Sequence, residues 1–113
     1  MKIDKVLSLL SLATKAGKIV SGEFSTEKAI KTNKAALVIV ADDASDRTKE
    51  MFKNMCDFYE VNMYCYADKE SLGHSIGKQD RASLAVTDEG LAKSIEKQIN
   101  IMLHSEDKNG GNI

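Results

Sequence analysis

Helical and strand patterns alternate along this chain, and that alternation predicts an α/β fold, a three-layer α-β-α sandwich with helices on both faces of a four-stranded sheet. Two observations carry the prediction. Five stretches of helical apolar periodicity are separated by four short apolar runs, several rich in β-branched residues. Glycines and helix-capping residues punctuate the junctions. A length of 113 residues suits one domain with one core.

The elements follow in order. Ile3, Val6, Leu7, Leu10 and Ala13 form a helical stripe over 3–16 that Gly17 ends. "KIVS", 18–21, reads as a short strand. Gly22 then opens a turn, Ser25 and Thr26 stand as caps, and 25–33 reads as a helix ending near Asn33. "AALVIVA", 35–41, is apolar throughout, as expected of a strand covered on both faces. "DDAS" supplies caps for a helix over 46–60, with Met51, Phe52, Met55 and Phe58 as its apolar side. "VNMYCYA", 61–67, is the third strand, and Asp68 caps a short helix through Ile76 that Gly77 ends. After the polar loop "GKQDR", "ASLAVT", 82–87, is the fourth strand. Thr87 or Asp88 caps a last helix with Leu91, Ile95, Ile99 and Met102 as its stripe. The domain is expected over 1–103, with 104–113 a flexible polar tail.

Composition narrows the function classes. Hydrophobic residues are 42% and charged residues 29%, an ordinary globular balance, and no segment approaches the length needed to span a membrane. No signal-peptide pattern opens the chain, because Asp4 and Lys5 interrupt it, so a cytoplasmic setting is expected. Cys56 and Cys65 form no CxxC pair, and with two scattered histidines they make no zinc site. No metal and no cofactor are expected. The net charge is −1, yet residues 1–34 carry seven lysines against three acids. A near-neutral protein with such a distribution can present a positive face to a polyanion, although solvated helix lysines explain it equally.

Several constellations fail as chemistry. "GEFSTEK" lacks the second glycine and the closing Ser or Thr of a P-loop. Asp42 and Asp43, after the second strand, have no partner lysine of the kind a phosphoacceptor site uses, and read as helix-start acids. His74 has no evident nucleophile or orienting partner. Tyr64 and Tyr66 have strand spacing and read as packing residues. What remains is "SGEFSTEKAI". A strand, Gly22 and a helix start, with Lys18 upstream and Lys28 and Lys31 inside the helix, suit a phosphodiester backbone without any ion. On composition alone a plain turn accounts for it as well.

The markers "AGKIVSG", "KAI" followed by "ALVIVADDAS", and "LGHSIGK", together, give the chain a resemblance. It is similar to the L-seven-Ae family of ribosomal proteins, which includes the L-thirty-e type and kink-turn RNA-binding proteins, over about residues 4–95. The resemblance implies a four-stranded mixed sheet and a non-enzymatic protein binding structured RNA, ribosomal RNA among the candidates, with ribosomal or translation-factor protein partners. It implies RNA contact by the start of the second helix, helped by the loop before the last strand. In kink-turn binders that helix start carries Gly-x-Asn-Glu-x-x-Lys. Here Gly22 and Lys28 match, but Phe24 stands at the Asn position and Ser25 at the Glu position. Phe24 and Ser25 lack the directional donors and acceptors that read guanine edges, and Glu23 is out of register for the task. Phosphate contact survives this change better than guanine reading does. The expected interface is therefore Lys18, Gly22, Glu23, Phe24, Ser25, Lys28 and Lys31, with Lys78, Gln79 and Arg81 on a second side. The competing expectation is a protein–protein interaction module that keeps the fold without specific RNA binding.

Overall fold

The computed structural model describes residues 4–111, with side chains through 104. Helix α1 (Lys5–Lys15) starts at Asp4, whose carboxylate accepts the Leu7 N–H at 3.0 Å. It buries Val6, Leu10 and Ala13, while Ile3 of the expected stripe lies outside the described residues. Strand β1 (Ile19–Ser21) follows the turn at Gly17.

Helix α2 (Glu23–Lys31) begins two residues earlier than the sequence suggests. Gly22 turns the chain at φ 92° and ψ 160°, so the strand passes into the helix with no spacer. Ser25 and Thr26 therefore lie inside the first turns and cap nothing. Thr26 is fully buried and its hydroxyl meets the buried Ser83 hydroxyl at 3.4 Å.

Strand β2 (Leu37–Val40) is buried at all four positions, as a strand covered on both faces should be. Helix α3 (Asp46–Tyr59) is capped by Ser45, which accepts the Thr48 N–H at 3.1 Å, rather than by Asp42 or Asp43. Its inward stripe is Phe52, Met55, Cys56 and Tyr59, at i, i+3, i+4 and i+7. Phe58 falls off that stripe and is 78% exposed, which corrects its expected place on the apolar side.

Strand β3 (Met63–Cys65) leads to helix α4 (Lys69–Ser75), capped by Asp68 at 2.7 Å from the Ser71 N–H. Strand β4 (Ser83–Val86) is again fully buried. Helix α5 (Glu89–Gly111) is capped by Asp88, 2.8 Å from the Leu91 N–H. Ile95 and Ile99 are buried, whereas Met102 is largely exposed. The helical backbone continues past 104 to Gly111.

The strand order is β1-β4-β2-β3. β4 runs antiparallel to both its neighbours, and β2 pairs β3 in parallel, so the sheet is mixed. Helices α1, α4 and α5 pack together on one face, and α2 and α3 on the other. The single reversed strand positions the site. It brings the loop entering β4 to the same sheet edge as the chain leaving β1, β2 and β3. Backbone bonds close that edge: Gly22 N–H to the Ser83 carbonyl, Ala41 N–H to Ala82 and Asp42 N–H to Ala67.

Candidate functional site

The start of α2 is the open feature of this edge. Among the described residues, side chains of Asp4, Ser45, Asp68 and Asp88 cap the other four helices. No side chain caps α2. The first helical bond is Thr26 N–H to the Gly22 carbonyl at 3.0 Å, which leaves the N–H groups of Glu23, Phe24 and Ser25 ahead of it. Such groups attract an anion, reinforced by the positive end of the helix dipole. Glycine at the cap also keeps a side chain out of the approach. Glu23 and Phe24 are exposed and Ser25 is half-buried.

The loop of residues 77–81 forms the neighbouring wall. Arg81 donates through Nε to the Ser21 hydroxyl at 3.1 Å, one residue before Gly22, and through Nη1 to the Asp80 carbonyl at 3.0 Å. Its backbone N–H bonds the Lys69 carbonyl at 3.0 Å. Lys78 and Gln79 are exposed beyond it. The loop is seated on α4 by Gly73. The Lys78 N–H donates to the Gly73 carbonyl at 2.8 Å, and a Cβ on Gly73 would stand 1.7 Å from the Gln79 carbonyl oxygen. Ser21, Gly73 and Ser83 thus hold the site without having been expected to. For Gly73 the signal was available, since a glycine inside a helix usually marks a packing constraint.

The structure brings Gly22, Glu23, Phe24, Ser25 and Arg81 together at one edge, with Lys78 and Gln79 on the adjoining loop. Lys28 lies about one and a half helical turns in and is exposed. Lys31 points elsewhere in function: its ammonium sits 2.7 Å from the Glu27 carboxylate, and that hydrogen bond raises its pKa. Lys18 is not part of the cluster. Its carbonyl accepts the Thr87 N–H at the opposite edge, about 13 Å of extended chain from Gly22.

The remaining candidates have structural occupations. Asp43 accepts the Lys69 N–H at 2.9 Å and so serves the start of α4 rather than α3. The Tyr64 hydroxyl reaches Glu96 and that of Tyr66 reaches Asp4, each at 2.7 Å. His74 is exposed on an open groove between α1 and α4 that Asp4 and Glu70 also line. Burial pushes the Cys56 thiol up to about 11. Among the described residues no group of His, Cys, Asp and Glu could hold a metal ion, and no helix is long and apolar enough to cross a membrane.

A three-layer sandwich with an uncapped helix start beside Arg81 defines a small module whose open feature is made of backbone N–H groups rather than reactive side chains. The chain belongs to the Ribosomal protein L7Ae/L30e/S12e/Gadd45 family, whose sequence pattern matches residues 4–96. It is 40% identical over 87 residues to the RNA-binding protein YlxQ of Bacillus subtilis, covering 77% of this chain and 87% of that one. It is 36% identical over 96 residues to the RNA-binding protein YlxQ of Enterococcus faecium, covering 85% and 92%. The names of the family and of these relatives describe ribosomal and RNA-binding proteins, not a catalysed reaction. A protein of unknown function from Bacillus halodurans C superposes with a TM-score of 0.84 at 32% identity, over 87% of this chain and 99% of that one. The Giardia lamblia 15.5kD RNA binding protein superposes at 0.72 with 18% identity, over 88% and 89%, a likeness of fold alone.

Proposed function

We propose that this protein binds structured RNA at the sheet edge formed by the start of α2 and the loop of residues 77–81, as a non-enzymatic partner of ribosomal or other translation-linked RNA. The observation that carries the reading is the α2 terminus, which lacks a side-chain cap and lies beside Arg81. Family membership and two relatives named as RNA-binding proteins support it. In this reading the N–H groups of Glu23, Phe24 and Ser25 receive a phosphate, with Gly22 letting the backbone approach. Lys28, Lys78 and Arg81 add charge, and Gln79 contacts the sugar-phosphate chain. Lys18 stays outside by position, and the Lys31 charge is engaged by Glu27 rather than free for phosphate.

The contact is led by phosphate, because neither Phe24 nor Ser25 offers the paired donors and acceptors of a guanine reader. The test is fluorescence anisotropy with a kink-turn RNA and a matched duplex lacking the G·A pairs, across a salt series. Three cations at the interface predict a slope of log K on log salt near −3, reduced by about one unit in Lys28→Ala. Binding to both RNAs with that slope is the expected outcome. Tight binding to the kink-turn alone would show that guanine is read after all. No salt-dependent binding to either would leave a protein partner as the better account.

A further inference from the structure

Phe24 is the anomaly of the site. Its side chain is 78% exposed in the first turn of α2, at the terminus that lacks a side-chain cap. The buried face of the helix is Thr26, Ala29 and Ile30. Phe24 heads the opposite face, on which Glu27, Lys28 and Lys31 follow at helical spacing. With Thr32 these residues line an open groove of about 250 Å³. That is below the range of about 300–1,000 Å³ usual for sites that take a drug-sized ligand, and in scale with one planar base.

We infer that Phe24 is a stacking platform for a single unpaired RNA base, which lies in the groove along the exposed face of α2. The inference rests on the RNA-binding reading above and adds a base contact at Phe24 to its phosphate contact. The walls suit such an occupant. Lysine stems and the Thr32 methyl offer apolar surface, while their charged heads stay at the rim. Glu27 is held by Lys31 at 2.7 Å, which neutralises the one carboxylate in the groove. Lys28 lies on one side of the ring and the N–H groups at the start of α2 on the other, so both phosphates flanking a stacked base meet positive potential. Aromatic stacking needs no donor pattern, which accounts for an RNA contact without Asn or Glu at these positions.

A protein partner fits this face poorly. Protein hot spots cluster apolar anchors inside a water-excluding ring. Here the residues around the ring on the helix are Glu23, Glu27, Lys28 and Lys31. Phe58 makes the contrast. It is equally exposed, but it stands edge-on to Tyr59 with ring centroids 4.9 Å apart.

The test uses RNA hairpins that carry one bulged nucleotide, with each of the four bases or an abasic residue at that position, and the same hairpin fully paired. Binding is measured for the wild type, Phe24→Ala, Phe24→Leu and Phe24→Tyr. For the wild type, removing the base should weaken binding about ten- to a hundred-fold, and for Phe24→Ala it should change little. Tyr should restore the base dependence and Leu should not. Equal effects of base removal in wild type and Phe24→Ala would overturn the inference, as would full rescue by Leu. Salt-dependent binding that ignores the bulged base would overturn it while leaving the phosphate reading intact. Absence of binding to every hairpin would overturn both.

Discussion

Gly73→Ala isolates the part of the site that is built from backbone. An ordinary glycine-to-alanine change in a helix stabilises it by about 0.5–1 kcal/mol, because alanine has less backbone freedom to lose. Here the added Cβ would fall 1.7 Å from the Gln79 carbonyl oxygen, 2.5 Å from its carbon and 3.1 Å from the Asp80 Cα. All three are main-chain atoms, so no side chain can swing aside. Restoring a carbon–oxygen contact of roughly 3.3 Å means moving the loop by about 1.5 Å. That displacement breaks the geometry of Lys78 N–H to Gly73 at 2.8 Å and Arg81 N–H to Lys69 at 3.0 Å. Overpacking costs about 1–3 kcal/mol and each lost bond about 0.5–1.5. After the helix gain, a loss near 3 kcal/mol remains, or about 10 °C or more in Tm for a chain of this size. Thermal and urea unfolding measure it, with Gly90→Ala as control. There the Cβ meets only the Asp88 carboxylate at 3.4 Å, and the change should be neutral or stabilise by up to about 1 kcal/mol. RNA affinity in Gly73→Ala should fall as well, since Arg81 leaves Ser21. A variant with unchanged Tm and unchanged RNA affinity would refute the claim that Gly73 seats the loop.

Cys65 is exposed and Cys56 is 1% exposed, with burial raising its pKa from 9.0 to about 11. A thiol reagent should therefore titrate one cysteine in the native protein and the second only after denaturation; two fast thiols would contradict the packing of α3. Because the folded thiol holds its proton longer than the unfolded one, stability should decline as pH rises from about 9 to about 11. Cys56→Ala should remove that part of the slope in urea titrations. For the site, the double change Phe24→Asn and Ser25→Glu installs the donor and acceptor set that the family resemblance implies for tandem G·A pairs. It should raise selectivity for a kink-turn over a plain duplex by about ten-fold, and unchanged selectivity in an anisotropy competition would show that more than these two side chains separates the chain from guanine readers.

Much of the fold was legible because its signals are local. Buried β2, the caps at Asp68 and Asp88 and the stripes of α1 and α5 each follow from a few adjacent residues. The errors share a cause, which is that one residue of phase decides a face. Phe58 looked like a partner of Met51 at i+7, but Phe52 and Cys56 set the phase of α3 and turned Phe58 outward. Ser25 and Thr26 looked like caps until the positive φ of Gly22 let the helix begin at once. Arg81 could be assigned to the site from sequence only through the resemblance, because the edge it occupies depends on β4 running antiparallel. Periodicity carries no information on strand direction. The contact between Gly73 and Gln79 is likewise a property of the packed chain, hinted at only by a glycine within a helix.

The same topology explains how a chain of net charge −1 can present itself to a polyanion. The seven lysines of residues 1–34 read as one positive face, but the fold disperses the five from Lys15 to Lys34. Lys15 ends α1, Lys18 precedes β1 and Lys34 follows α2, all toward the edge opposite Gly22. Lys31 is bound to Glu27. Of that run, Lys28 on α2 is the exposed lysine left beside the open helix start, and its companions Lys78 and Arg81 come from a segment whose overall charge is negative. Charge runs along a sequence therefore misplace the interface here. Attraction depends instead on backbone N–H groups at the start of α2, which no count of lysines records. A helix start of this kind is weakly basic in composition and strongly directional in geometry, which is why the proposed RNA contact calls for a shaped element rather than for charge alone.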